Sequence, residues 1–172
     1  IFGNEKLVAE RYVSSKDKDM LIDIIGRVDY ESNTKIGEAK TKPPTIKKKR
    51  GKDEYYMAST QLPNDPDPMH VSQVAFYYHC TNRKPFLFYV NENEYRIFDD
   101  THDMLRPDYL EHQYNLLTQR LKSWEQLIIF CKGDIQKLSS FAEPPELNHP
   151  FYYRDLIDDQ KKQIKQLWGL DA

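Results

Sequence analysis

From Met20 to Thr41 the chain reads MLIDIIGRVDYESNTKIGEAKT, two strands joined by a tight turn, and this hairpin constrains the fold more than any other segment. Leu21, Ile22, Ile24, Ile25 and Val28 make the stretch from Met20 to Tyr30 the clearest strand, because β-branched apolar residues dominate it. Glu31-Ser32-Asn33-Thr34 is a turn signal, and Lys35 to Thr41 returns as the partner strand, ended by Pro43-Pro44. Side chains alternate along a strand, so Glu38 and Lys40 share a face, about 7 Å apart. A turn centred on Asn33 and Thr34 sets Asp29 opposite Glu38, with Cβ atoms about 5 Å apart. Like charges facing each other destabilise a sheet, and a cation between them offsets the repulsion. Two hard oxygen ligands favour magnesium or manganese. The expectation is a divalent ion held by Asp29, Glu38 and the backbone carbonyl of Ala39, polarising a phosphodiester oxygen, with the Lys40 ammonium facing the charge that grows on phosphorus.

The triplet Glu38-Ala39-Lys40 means little by itself. A second one, Asp159-Gln160-Lys161, falls in a helical stretch where the 3.6-residue period spoils the shared face. Its setting gives it weight. Leu7 to Val13 reads as a preceding strand, and Val71 to Cys80 as a helix with Val74, Tyr77 and Tyr78 on one side. Pro85 to Asn91 and Tyr95 to Asp99 form a hairpin turning at Glu92-Asn93. Pro107 opens a long helix, along which Leu110, Tyr114, Leu117, Leu121, Trp124, Ile128 and Cys131 make one apolar stripe, suited to packing on the sheet. After Pro144-Pro145, a last amphipathic helix runs from Tyr153 to Trp168, stopped by Gly169. The order predicts an α/β (α+β) fold, a central mixed sheet flanked by helices. Residues 1–172 are expected to form one domain. Residues 42–70 are expected to be a mobile basic and proline-rich insertion.

Charge narrows the partners. Lys and Arg number 25 against 27 Asp and Glu, so nothing global draws the chain to a polyanion. The basic residues gather instead at Lys40, Lys42, Lys47, Lys48, Lys49, Arg50 and Lys52, with no acid between Lys40 and Lys52. That patch suits a phosphate backbone, and Tyr55 and Tyr56 beside it suit stacked bases. No apolar run reaches the roughly 20 residues of a membrane span. Two distant cysteines, Cys80 and Cys131, exclude a disulfide scaffold and fit a reducing compartment. His70, His79, His102, His112 and His149 show no ligand spacing, and Asp99, Asp100 and Asp103 read as a solvated hairpin end. The start at Ile1 reads as a chain lacking its true N-terminus.

The order Glu10, Gly26-Arg27-Val28-Asp29, Glu38-Ala39-Lys40-Thr41 and Gln73-Val74-Ala75-Phe76-Tyr77 resembles the PD-(D/E)XK nucleases. Within them it is similar to the RecB-type exonuclease branch, which includes phage, bacterial and mitochondrial genome-maintenance exonucleases. The likeness runs from about Leu7 to Cys131 and implies a restriction-endonuclease-like core for the mixed sheet and its helices. It implies metal ligation by Asp29 and Glu38, with Glu10 as a further acidic position, and a catalytic role for Lys40. It also sets Gln73 and Tyr77 beside the active site, touching the nucleic-acid strand or bracing the catalytic side chains. The expected protein is thus a monomeric, Mg2+- or Mn2+-dependent deoxyribonuclease, an exonuclease on single-stranded DNA or duplex ends. Lys42, Lys47, Lys48, Lys49 and Arg50 would attract the DNA. The implied setting is the cytoplasm of a bacterium or phage-infected host, or a mitochondrion. An endonuclease or junction resolvase, and a catalytically silent DNA-binding module, are the alternative readings. Glutamate stands at Glu38 where this branch often has aspartate, a change the wider superfamily accepts.

Overall fold

The computed structural model describes residue 3, residues 5–141 and residues 156–167. The chain divides into two compact units, Ile1–Arg120 and Leu121–Ala172. The first holds a five-stranded mixed sheet in the order β1 (Val8–Ser15), β2 (Ile24–Glu31), β3 (Lys35–Thr41), β6 (Lys84–Val90) and β7 (Tyr95–Asp99). All neighbours are antiparallel except β3 and β6, which run parallel. Parallel neighbours need a crossover, and α1 (Pro68–Thr81) supplies it. The architecture is the expected α+β arrangement of a mixed sheet flanked by helices.

Helix α1 starts three residues before its predicted position. Asp67 caps it by accepting the Met69 N–H at 2.9 Å, and Pro68 enters the first turn, where its missing donor costs nothing. It ends at Asn82, whose φ of 52° lets its N–H reach the Tyr78 carbonyl at 2.7 Å. Val71, Val74, Ala75, Phe76 and Tyr77 are buried in one core with Val28, Ile36, Leu87, Tyr89, Leu105, Leu110 and Tyr114. Leu110 and Tyr114 come from α2 (Pro107–Phe130), and Tyr114 also stacks on His79, with centroids 3.6 Å apart. The apolar stripe predicted for this helix is thus buried at its N-terminal end.

Two sequence expectations need correction. The strand read from Met20 begins only at Ile24, because Leu21 and Ile22 lie in an exposed loop rather than on the sheet. The basic segment read as a loop contains an antiparallel ribbon, β4 (Thr45–Lys48) with β5 (Tyr55–Ala58). It escapes a search for apolar periodicity because cross-strand pairing and two ion pairs near its tip hold it, Lys48 to Asp53 and Lys49 to Glu54, each 2.7 Å.

The turn between β2 and β3 is secured from both sides. Ser32 donates its N–H to the Lys35 carbonyl at 2.9 Å and its hydroxyl accepts the Lys35 N–H at 3.0 Å. Beside it the buried Glu31 carboxylate takes Arg11 at 2.6 Å and also Arg83, joining β1, β2 and the entrance to β6.

In the second unit, α3 (Ile135–Ser139) follows the long helix, and α4 (Asp158–Leu167) lies within the last predicted helix. Pro144-Pro145, Tyr153, Trp168, Gly169 and His149 lie outside the described residues.

Candidate active site

The β2–β3 ladder holds only at Tyr30–Gly37 and Glu31–Ile36. Continued by one step, that register puts Asp29 level with Glu38, as the turn position predicts. The strands do not pair there. Instead the Asp29 carboxylate bridges the gap, accepting the Ala39 N–H at 2.9 Å through Oδ2. The ladder on the other side of β2 breaks at the same level. Glu10 is level with Asp29 but unpaired, and it takes a φ of 56°, a conformation costly for a residue with a Cβ.

Two glycines let the layers close around this gap. A Cβ on Gly26 would come within 2.6 Å of the Phe76 ring and 3.0 Å of the Tyr77 ring, so the glycine brings α1 close to β2. A Cβ on Gly37 would strike the Phe86 carbonyl of β6. With α1 so close, the Tyr77 hydroxyl donates to the Arg27 carbonyl at 2.7 Å and accepts from Gln73 Nε2 at 2.7 Å. Gln73 Nε2 also donates to Glu38 Oε1 at 2.9 Å, and Gln73 Oε1 accepts from Lys40 Nζ at 3.0 Å. Lys40 Nζ completes the ring with Glu38 Oε1 at 2.5 Å. A continuous chain of bonds therefore runs from β2 through α1 to β3, and each member fixes the next. Gln73 and Tyr77 brace the acid and the amine.

Glu38 is buried, and burial pushes its carboxyl above the usual carboxylate range. The Lys40 ammonium opposes that shift, and the Asp29 charge adds to it. Glu38 Oε2 is buried without any hydrogen-bond partner. Burial likewise raises the Tyr77 phenol far above its ordinary value, so it stays a donor. A pocket of about 870 Å³ opens here, lined among others by Asp29, Glu38, Gln73 and Tyr77.

The fit of a divalent ion can be judged from these groups. No set of three or more His, Cys, Asp or Glu side chains gathers as a metal site among the described residues. The donors present are the two carboxylates, one of them with an unpartnered buried oxygen. One or two carboxylates, completed by water and substrate phosphate, are what magnesium ordinarily takes from a protein. The donor set fits.

Of the other predicted residues, Glu10 is exposed and faces Arg27 at 3.9 Å, and it does not line the pocket. Lys42 is half-buried next to β3, whereas Lys47 and Lys48 lie on β4 and Lys49 and Arg50 follow it, all exposed. Sequence reasoning passed over Gln113, Leu116 and Arg120, which line the pocket from α2, and gave no role to Arg27 of the Gly26–Asp29 motif, which lines it from β2. The spacing of Gln113, Leu117 and Arg120 on one helix face was a usable signal, but only once that helix was known to border the site. Three of the histidines have local partners: His70 Nδ1 lies 2.8 Å from the Tyr89 hydroxyl, His79 stacks on Tyr114, and His102 Nδ1 caps the Met104 N–H at 3.2 Å. At the hairpin end, Asp99 Oδ1 accepts from the Thr101 hydroxyl at 2.7 Å, while Asp100 and Asp103 face Lys84 and Arg106.

Comparison with protein-family models gives no match, and comparison with curated proteins gives none. Among solved structures, one titled "Crystal structure of SSO0001" is similar at 18% identity with a TM-score of 0.37, over 56% of this chain and 42% of that one. The chain thus spans less than half the length of that protein, and a likeness of this size carries no argument. Among the described residues no helix is long and apolar enough to cross a membrane.

Proposed function

We propose that the chain is a metal-dependent deoxyribonuclease that hydrolyses phosphodiester bonds, acting as an exonuclease on single-stranded DNA or duplex ends. The observation that carries this reading is the pair of carboxylates, Asp29 and Glu38, that line one open pocket, with Lys40 bonded to Glu38 behind them and Gln73 bracing both Glu38 and Lys40. A binding module has no need of a buried carboxylate with an unpartnered oxygen beside a second acid. A hydrolase that seats a cation there does.

Asp29 and Glu38 would hold Mg2+ or Mn2+, with the Ala39 carbonyl as a further oxygen. Bound there, the ion supplies polarisation of a phosphodiester oxygen and a water of lowered pKa. The protein's own groups do the rest. Lys40, fixed between Glu38 and Gln73 just behind the pocket wall, would set a positive charge toward the reacting phosphate, where the charge growing on phosphorus needs it. Gln73 uses both amide nitrogen hydrogens on Glu38 and Tyr77 and its oxygen on Lys40, so it orients the acid and the amine together. Lys42, Lys47, Lys48, Lys49 and Arg50 would draw the DNA backbone toward the site. Cys80 and Cys131 are free thiols, and burial pushes the Cys80 thiol up to about 11, keeping it protonated and unreactive. Two such thiols suit a reducing compartment, and on this reading the enzyme works in the cytoplasm.

The test is release of nucleotides from end-labelled single-stranded DNA with magnesium or manganese. The wild type should release them and Glu38→Gln should not. Equal release by both proteins would overturn the assignment. Cutting of closed circular DNA by the wild type would move the reading to an endonuclease.

A further inference from the structure

The β4–β5 ribbon forms a sheet of its own, outside the five-stranded one. Every residue in its two strands except Ala58 is exposed. Its register pairs Thr45 with Ala58, Ile46 with Met57, Lys47 with Tyr56 and Lys48 with Tyr55. Directly opposed residues share a face and successive pairs alternate. One face therefore carries Lys47 beside Tyr56, and the other carries Lys48 beside Tyr55 with Ile46 and Met57. Each side of the ribbon presents one phenol ring and one ammonium. On the second face Lys48 Nζ lies 5.7 Å from the centre of the Tyr55 ring.

Water is a poor neighbour for such a surface. Ile46 is 72% exposed, Tyr55 63%, Met57 62% and Tyr56 46%. Five basic residues stand against two acidic ones from Thr45 to Ala58. Lys48 and Lys49 meet those two acids, while Lys47, Arg50 and Lys52 have no carboxylate partner among the described residues. Cations alone would suit any polyanion, and rings alone would suit an apolar protein face. Bare rings set among unneutralised cations match a chain that offers flat π-faces and phosphates together, which is an unpaired nucleic-acid strand. A duplex hides the faces of its bases in the stack.

The root of the ribbon is fixed close to the acids. The Thr60 hydroxyl donates to the Pro43 carbonyl at 2.7 Å, Asn91 Nδ2 donates to the Thr60 carbonyl at 2.9 Å, and the Lys42 N–H meets the Val90 carbonyl at 2.8 Å. From Lys40 to Thr45 the chain spans at most about 17 Å. We infer that the β4–β5 ribbon is a docking surface for single-stranded DNA, with bases stacked on Tyr55 and Tyr56 and phosphates on Lys47, Arg50 and Lys52. The choice of DNA rests on the phosphodiesterase reading above; the preference for an unpaired strand rests on the ribbon alone.

The experiment uses the full chain carrying Glu38→Gln, without divalent metal, so that hydrolysis plays no part. Fluorescence anisotropy measures its affinity for a 20-nucleotide oligo-dT and for a 20-base-pair duplex. The oligo-dT should bind about tenfold tighter or more. Added Tyr55→Ala or Tyr56→Ala should each weaken that binding about tenfold and leave duplex binding within about twofold, whereas Tyr→Phe at either position should bind like the parent. Both rings lie outside the core, so thermal melts should coincide. Equal affinity for duplex and oligo-dT, alanine variants that bind like the parent, or a loss that phenylalanine does not restore would each overturn the ribbon proposal. Nucleotide release by the chain with Glu38 intact is scored separately. Release without ribbon-dependent binding sinks the ribbon alone, and binding without release sinks the nuclease reading alone.

Discussion

At Glu38 a charge is kept where the fold would rather have none. Its pKa is raised in the folded protein, chiefly by burial, so the native state holds its proton to higher pH than the unfolded chain does. Stability therefore falls as pH rises from the ordinary glutamate range through the raised folded value. Glu38→Gln removes that penalty. Its melting temperature at pH 7 should exceed that of the wild type, by about 2–4 °C for each kcal/mol relieved, and should vary less with pH above the glutamate range. A melting temperature well below wild type at pH 7 would contradict this. The same shift sets the sign of metal uptake. The seat needs Glu38 ionised, so affinity for added Mn2+ should rise with pH through a range above the usual carboxylate titration, and Lys40→Ala should lower kcat by about 10²–10³-fold at saturating metal. Tyr77→Phe leaves the Arg27 carbonyl without its donor and Gln73 with one acceptor fewer. It should cost about 1 kcal/mol in denaturant unfolding and lower kcat without a matching change in KM.

At the scale of elements, the close approach of α1 to β2 depends on a missing side chain. Gly26→Ala puts a methyl against the Phe76 and Tyr77 rings and should destabilise by about 1–3 kcal/mol, with activity falling further than stability because Tyr77 moves with the helix. An activity loss no larger than the unfolded fraction explains would count against that coupling. The elements around this junction were legible in the sequence because each carries a local signal. Ser32 to Thr34 marks the turn and thereby the level of Asp29, and the Gln73–Tyr77 pair sits one helical turn apart. What the sequence hides are properties of assembly. Leu21 and Ile22 have strand composition but no sheet to join, and the β4–β5 ribbon has too few residues and too little burial for any period to show. The separation of β2 from β3 at Asp29, where the acid becomes a strand-bridging acceptor for the Ala39 N–H, cannot be read from alternation.

Across the whole molecule the charges nearly cancel, at −2, while the ribbon is strongly basic. Binding to single strands should then be governed by a local patch, with an ionic-strength dependence that a few basic side chains control. Replacing both Lys47 and Arg50 with alanine should flatten the slope of log K against log salt by about 1.4, or 0.7 for each phosphate no longer neutralised. An unchanged slope would place the phosphate-binding groups elsewhere. The pocket and the core both belong to Ile1–Arg120, where the sheet, α1 and the first turns of α2 meet. The central claim about that unit is that Asp29 and Glu38 form the seat of a divalent ion, and manganese titration followed by electron paramagnetic resonance tests it most directly. The wild type should remove free Mn2+ from solution as it saturates one or two sites, and the Asp29→Asn, Glu38→Gln double variant should remove none of it. Equal uptake by the two proteins, or no uptake by the wild type at millimolar manganese, would contradict the account.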